Sequence, residues 1–295
     1  MIRISPILPR SGAIPALGLL AVLVFGPVAM IGQEAEKPGL LGPWKATAEL
    51  SYVATSGNTA TSAFSLGTTF IRKWEKDILT FKAYALNSNN TTFTRRAVGT
   101  EEDFEIVEEA AKALVAENYL LSGQYERRIS KKLLGQAGLL WDRNRFAGVA
   151  GRVMFTAGLG YALVETERTK IKTDAGLTYT RREYVGLEAT SFAGFRFNLF
   201  GEQKLSDSSS FTSQFIFDDN LKNTKDWRYD WTNSLTASVS KSLALKVSLR
   251  MFYTRVPALQ SLPLYDPADL PTGLFVNVPL KGLDTFLTTS LVINF

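Results

Sequence analysis

Six acidic residues crowd one short stretch: Glu101, Glu102, Asp103, Glu105, Glu108 and Glu109, followed by Ala110-Ala111-Lys112. Carboxylates at this density can hold a divalent cation, and on a surface loop they could bridge it to lipopolysaccharide phosphates. A solvated acidic loop or a short helix fits the same residues, and their spacing is not that of an EF-hand. A second constellation, Trp141-Asp142-Arg143-Asn144-Arg145, carries two guanidinium groups suited to gripping phosphate or steering anions. A structural ion-pair cluster is the alternative there. Serines are plentiful, but no Gly-x-Ser-x-Gly occurs and the chain has no His to activate one. It has no Cys either, which removes disulfides, thiolate metal sites and cysteine nucleophiles. Lysine or carboxylate chemistry stays open. A membrane-embedded hydrolase acting on lipid or peptide is disfavoured, and no catalytic residue, metal ligand or cofactor is assigned.

The elements that would position these groups are strands. From Trp44 onward apolar residues recur at every second position, the spacing at which strand side chains share a face. Phe155, Ala157, Leu159, Tyr161 and Leu163 form one row, against Thr156, Gly158, Gly160 and Ala162. The same pattern recurs in Ile171 to Thr180, Tyr229 to Val239 and Leu245 to Thr254. Twelve strands are predicted, near 44–55, 61–74, 78–87, 115–128, 133–144, 152–163, 169–183, 191–204, 210–218, 227–239, 243–255 and 284–295. Many reach ten residues, long for soluble strands but suited to a tilted bilayer crossing. Gly158 and Gly160 sit inside a strand, so they are no phosphate loop.

The links between strands alternate in length. Glu75-Lys76-Asp77, Ser130-Lys131-Lys132, Glu165 to Arg168, Ser206 to Ser209 and Ser240-Lys241-Ser242 are short and polar. Most of the others are longer, notably 88–114 and 256–283, while Ser56-Gly57-Asn58-Thr59 is a tight turn. Short turns at one rim and long loops at the other are the habit of an outer-membrane barrel.

Alternation alone does not say which row faces out. One row carries aromatics near strand ends: Trp44, Trp74, Tyr119, Trp141, Tyr161, Tyr179 and Tyr229. Residues of this kind sit at lipid headgroups. The opposite row is rich in Gly, Ser and Thr. Its charges are close to balanced: Lys45, Lys82, Lys172, Arg182, Arg196, Lys246 and Arg250 against Glu49, Glu126, Asp142, Asp174, Asp218 and Asp230. A lumen suits such a row, whereas a lipocalin interior would be apolar. Leu287, Leu291, Ile293 and the terminal Phe295 share the apolar face of the last strand, a pattern resembling the signal read by the barrel assembly machinery.

Arg3 and Arg10 precede an apolar run from Gly12 to Ile31, broken by Gly26-Pro27 and followed by small residues. This pattern predicts a signal peptide over 1–32, cut near Ala29 to Gly32, with an uncleaved anchor as the alternative. A short periplasmic segment over 33–43 and a barrel over 44–295 complete the expected plan. The net charge of +5 is small and scattered, and gives no support for nucleic-acid binding. Expected partners are therefore outer-membrane lipids, including lipopolysaccharide, and the assembly machinery. The predicted fold is an all-β, up-and-down antiparallel transmembrane barrel of the bacterial outer membrane. A passive small pore and a plugged structural barrel both fit, with a soluble periplasmic β-protein as the competing class.

Three stretches resemble a family of salt-induced outer-membrane proteins, also called domain of unknown function 481. They are Leu50 to Thr59 (LSYVATSGNT), Trp141 to Gly148 (WDRNRFAG), and Gly158-Leu159-Gly160-Tyr161 with Thr166-Glu167-Arg168-Thr169. The similarity runs from about residue 43 to the end, with the acidic insertion at 101–109 unmatched. The resemblance implies a bacterial envelope location and a tie to salt or osmotic response, but no mechanism.

Overall fold

The structure is a computed structural model that describes residues 42–56 and 61–295. The expected signal segment and the turn at 57–60 lie outside those residues. Fourteen strands are described: β1 (Trp44–Ser56), β2 (Thr61–Lys73), β3 (Asp77–Gly99), β4 (Phe104–Arg128), β5 (Leu133–Asn144), β6 (Val149–Glu165) and β7 (Thr169–Tyr184), followed by β8 (Thr190–Lys204), β9 (Ser209–Asn220), β10 (Trp227–Ser238), β11 (Leu243–Thr254), β12 (Leu259–Tyr265), β13 (Pro271–Pro279) and β14 (Leu283–Asn294). Strands β1 to β10 each pair antiparallel with the next, β11 pairs with β14, and β14 returns to β1. The result is a closed twelve-stranded barrel, matching the predicted strand count. Closure leaves the twelve barrel strands without an open edge, as a sheet in a medium without water requires.

The period of two becomes two environments. On β14, Asp284, Phe286, Thr288, Ser290 and Val292 are buried, while Leu283 and Leu287 are exposed. On β6, Leu159 is 55% exposed, whereas Met154 is 1% exposed. Large apolar side chains cover the outside: Leu66, Leu121, Leu139, Phe155, Leu177, Leu235 and Leu245 are all exposed. Contiguous apolar surface on this scale is rare on soluble monomers and marks a face that meets membrane or protein. Inside, Glu49, Asp142, Asp174, Arg182 and Lys246 are buried instead.

Two predicted loops turn out to contain strands. The 88–114 segment is mostly the extension of β3 and β4, paired as far as Gly99↔Phe104. Only the turn Thr100–Asp103 is left, closed by Thr100 N–H donating to the Asp103 carbonyl at 2.8 Å. Polar and small residues interrupt the apolar alternation in this extension, so no continuous row marks it in the sequence, although Ile106 is buried there against Leu262 and Val278. The 256–283 segment contains the hairpin β12–β13. Its prolines (Pro263, Pro271, Pro279) disguise it as loop, because proline in a sheet is confined to edges and strand ends.

β6 and β7 approach closely at paired glycines, Gly158 opposite Gly176. A Cβ on Gly158 would run into the Ala175 carbonyl, and one on Gly176 would stand 2.5 Å from the Ala157 carbonyl oxygen. Gly158→Ala is therefore expected to cost about 1–3 kcal/mol, the usual range for overpacking. The midpoint of denaturant unfolding in lipid vesicles measures it, and an unchanged midpoint would show that the two strands separate freely.

Candidate functional site

The inward charges are held in pairs, and the pairs sort by depth. Toward the loop end the described pairs inside the barrel join arginine to aspartate. Arg152 Nε meets Asp142 at 2.6 Å, and Arg182 meets Asp226 at 2.7 Å. Arg196 grips Asp218 with two bonds, 2.7 and 2.9 Å, while Arg228 takes the same carboxylate at 3.0 Å. Arg250 grips Asp230 bidentately. Planar guanidinium forks fit carboxylates in this way.

Toward the short-turn end lysine and glutamate take over. Lys246 faces Glu49 at 3.4 Å, Lys170 faces Glu202 at 3.7 Å, and Lys172 pairs with Glu126. Lys82 has Glu49 and Glu126 as its electrostatic neighbours. Asp174 is held by amides: Gln136 donates at 2.8 Å and Asn198 at 2.7 Å. Gln214 in turn donates to Asn198 at 3.1 Å, so a hydrogen-bonded belt runs from β5 to β9. Lys45 stands exposed at the short-turn mouth.

Some of these contacts cross open space. Glu126 lies on β4 and Lys172 on β7, three strand spacings apart, or roughly 14 Å of wall. They meet by cutting the chord through the lumen, which narrows it. The opposing wall is lined by small hydroxyls: Ser51 with Ser65 at 2.8 Å and Ser234 with Ser248 at 2.7 Å. Near the loop end an apolar cluster of Ala63, Leu86 and Phe286, joined by Tyr84 and Phe252, fills part of the bore.

The loop end is roofed. β11 and β14 are neighbours, yet the chain between them reaches strands on the far side of the barrel. Tyr184, at the end of β7, donates to the Val256 carbonyl at 3.3 Å. Gly148, left-handed at φ 70°, closes the single-turn 3-10 helix Arg145–Ala147 after β5. A Cβ there would stand 2.6 Å from that of Ala258, so this glycine lets the crossing segment descend. The hairpin then joins the β3–β4 extension. β12 pairs parallel with β3 through Leu264↔Ala97 and Tyr265↔Val98, and Leu262 and Val278 pack on Ile106. Arg96 pairs with Asp269 at 2.7 Å and lies over the Tyr265 ring.

The Trp141–Arg145 constellation and the acidic stretch at 101–109 follow their structural alternatives. Arg143 and Arg145 both reach Glu117, at 3.1 and 3.5 Å, which is the ion-pair cluster rather than a free phosphate grip. Among the acidic residues, Glu101, Glu102 and Asp103 occupy the exposed turn, while Glu108 pairs with Arg95 at 3.3 Å and Lys281 at 3.7 Å. Among the described residues no three carboxylates converge on a cation site. Leu287, Leu291 and Ile293 lie on the outward face of β14, and Phe295 follows, its N–H donating to the Ala46 carbonyl at 2.9 Å.

Sequence reasoning missed several lining residues. Arg152, Lys170, Glu202 and Arg228 share strand parity with residues that it did select, so counting in twos would have found them. Asp226 lies in the loop before β10, where no periodicity exists to read.

A closed barrel with an apolar exterior and a charge-paired interior defines the class of transmembrane β-barrels. Within that class the chain belongs to the family described as "Protein of unknown function, DUF481", whose model matches residues 48–261. Among curated proteins none matches the sequence. Solved structures of similar shape include the NanC porin (7% identity, TM-score 0.49, covering 85% of this chain and 100% of that one). They also include an anion-selective porin from Comamonas acidovorans (13%, 0.39, 85% and 98%) and the toluene transporter TodX from Pseudomonas putida (7%, 0.36, 85% and 88%). Likenesses this distant leave function to be read from the chain's own lining.

Proposed function

We propose that this protein is a bacterial outer-membrane barrel that passes small hydrophilic solutes or ions through a narrow, charge-paired lumen beneath a folded roof. The observation that carries the reading is the partition of side chains. Aliphatic residues cover the outside, while ionic groups turn inward and pair with one another. Two outward aromatic bands support placement in a bilayer. Near the loop end Phe215 packs on Tyr229 and Phe217 on Trp227, and Tyr253 packs on both Trp227 and Tyr229. Near the short-turn end Trp44 packs on Phe81, and Arg72 lies over Trp44 and Trp74. Such bands favour headgroup depth, where lipopolysaccharide would be the outer neighbour.

Near-balanced charge in the lining implies weak ion selectivity. Purified full-length protein in planar bilayers should give steady unit steps. The Lys172–Glu126 chord and the roof favour a second reading, a structural barrel, and reproducible silence in the bilayer would select it. Recovery of the protein in soluble periplasm would remove both. Passage and support need no chemistry, so neither reading assigns a catalytic residue.

The outward row of Leu287, Leu291, Ile293 and Phe295 on the closing strand is the surface that the assembly machinery would engage. Phe295→Ala is expected to lower the amount of folded barrel in the membrane fraction, seen as loss of the heat-sensitive compact band on gels. Undiminished folded protein would discredit that role.

A further inference from the structure

We infer that the loop-end half of the lumen holds a binding site for one small anion, a phosphate or a short carboxylate. The wall there encloses a cavity of about 60 Å³. That is room for roughly four waters, and so for an anion of a few heavy atoms. Its lining includes Arg152, Arg182, Arg228 and Arg250 but only one carboxylate, Asp142, with the Asn118 amide alongside. The other aspartates that pair with these arginines, Asp218, Asp226 and Asp230, do not line it. The carboxylates therefore act mostly from behind, orienting guanidinium groups whose charge faces the space. A positive recess in a low-dielectric wall concentrates anions.

The arginines are also held in place before any ligand arrives. Arg182 is tied to Asp226, which also accepts from Asn220 at 3.0 Å, and its guanidinium lies over Tyr184 and Phe192 at 4.5 and 5.2 Å. Arg250 is fixed by Asp230 and lies over Phe252 and Phe286. Prior fixing removes the ordering cost of binding. One donor is left unmet: Arg182 Nε is buried without an acceptor, and the Arg182 side chain is only 9% exposed. An anion oxygen in the recess would supply it. This site rests on the pore reading for its purpose, as the point where an entering anion pauses, but not for its existence.

Isothermal titration of the refolded full-length protein in detergent tests it, with inorganic phosphate in one arm and acetate in the other, against chloride at equal ionic strength. One-to-one binding is expected in at least one arm, and the tighter arm identifies the anion class. Arg152→Gln and Arg182→Gln should each weaken it by about tenfold or more, as loss of a charge-assisted bond implies. Lys241→Gln, in a turn at the opposite end, should leave it unchanged. Should either arginine variant fail to fold, thermal stabilisation of the unmodified protein by phosphate or acetate over chloride supplies the second readout. No saturable heat and no stabilisation in either arm would overturn the site, as would binding that ignores both substitutions. A silent bilayer with intact anion binding would instead fault the pore reading alone.

Discussion

Replacing Leu259–Pro279 by an Asn-Gly turn should raise the unit conductance of the barrel several-fold, or produce unit steps where the unmodified protein gives none. The excision is mild at its ends. Leu280 N–H already donates to the Ala258 carbonyl at 2.9 Å, so a two-residue hairpin turn can join them without moving either. What leaves is the hairpin beyond that junction, with Leu262 and Val278 from its apolar cluster and Asp269 from its ion pair with Arg96. The twelve barrel strands keep all their pairings with one another, because β12 and β13 pair only with each other and, at Leu264↔Ala97 and Tyr265↔Val98, with the extension of β3. Ions would then meet the lumen directly and not through gaps around a roof. An identical step size in both proteins would mean that the hairpin stands clear of the path, and the roof would lose its functional meaning.

The second large effect concerns the face of the strands. Leu159→Arg should destabilise the barrel by about 2–4 kcal/mol, the cost of a cation near the bilayer midplane. Leu159 sits in the central part of β6 and is more than half exposed, so nothing in the protein would shelter the new charge. Thr156→Arg, three residues away and on the opposite face, should cost much less, because the lumen there is polar. Thr178 looks equivalent in the sequence but is not a fair comparison. It is buried, and its hydroxyl lies 2.6 Å from the position of a Cβ on Gly194. Reversible unfolding in vesicles compares the two variants. Equal losses would mean that lipid does not contact the Leu159 row.

The acidic stretch teaches a different lesson. Read as residues, Glu101 to Glu109 invite a cation site. Placed in space, the stretch is split between an exposed turn and the start of β4, where Glu108 answers Arg95 and Lys281. Carboxylates close in sequence are spread along an extended chain at about 3.3 Å per residue and on alternating faces. Density in the sequence is therefore not convergence in a strand. The Trp141–Arg145 constellation behaved in the same way, its arginines turning to Glu117 on the neighbouring strand.

Strand number and the length of most strands were legible in the sequence, because the period of two is local to one strand and needs no partner. Which charges meet was not. Lys246 finds Glu49 from 197 residues away and Lys172 finds Glu126 from 46, pairings set by barrel curvature and strand stagger. The roof lay equally out of reach. Prolines interrupt the pattern of its hairpin, and only the closed barrel brings the segment after β11 over Gly148 and onto the edge of β3. Periodicity records what a strand faces, whereas contact across a lumen is a property of the whole ring.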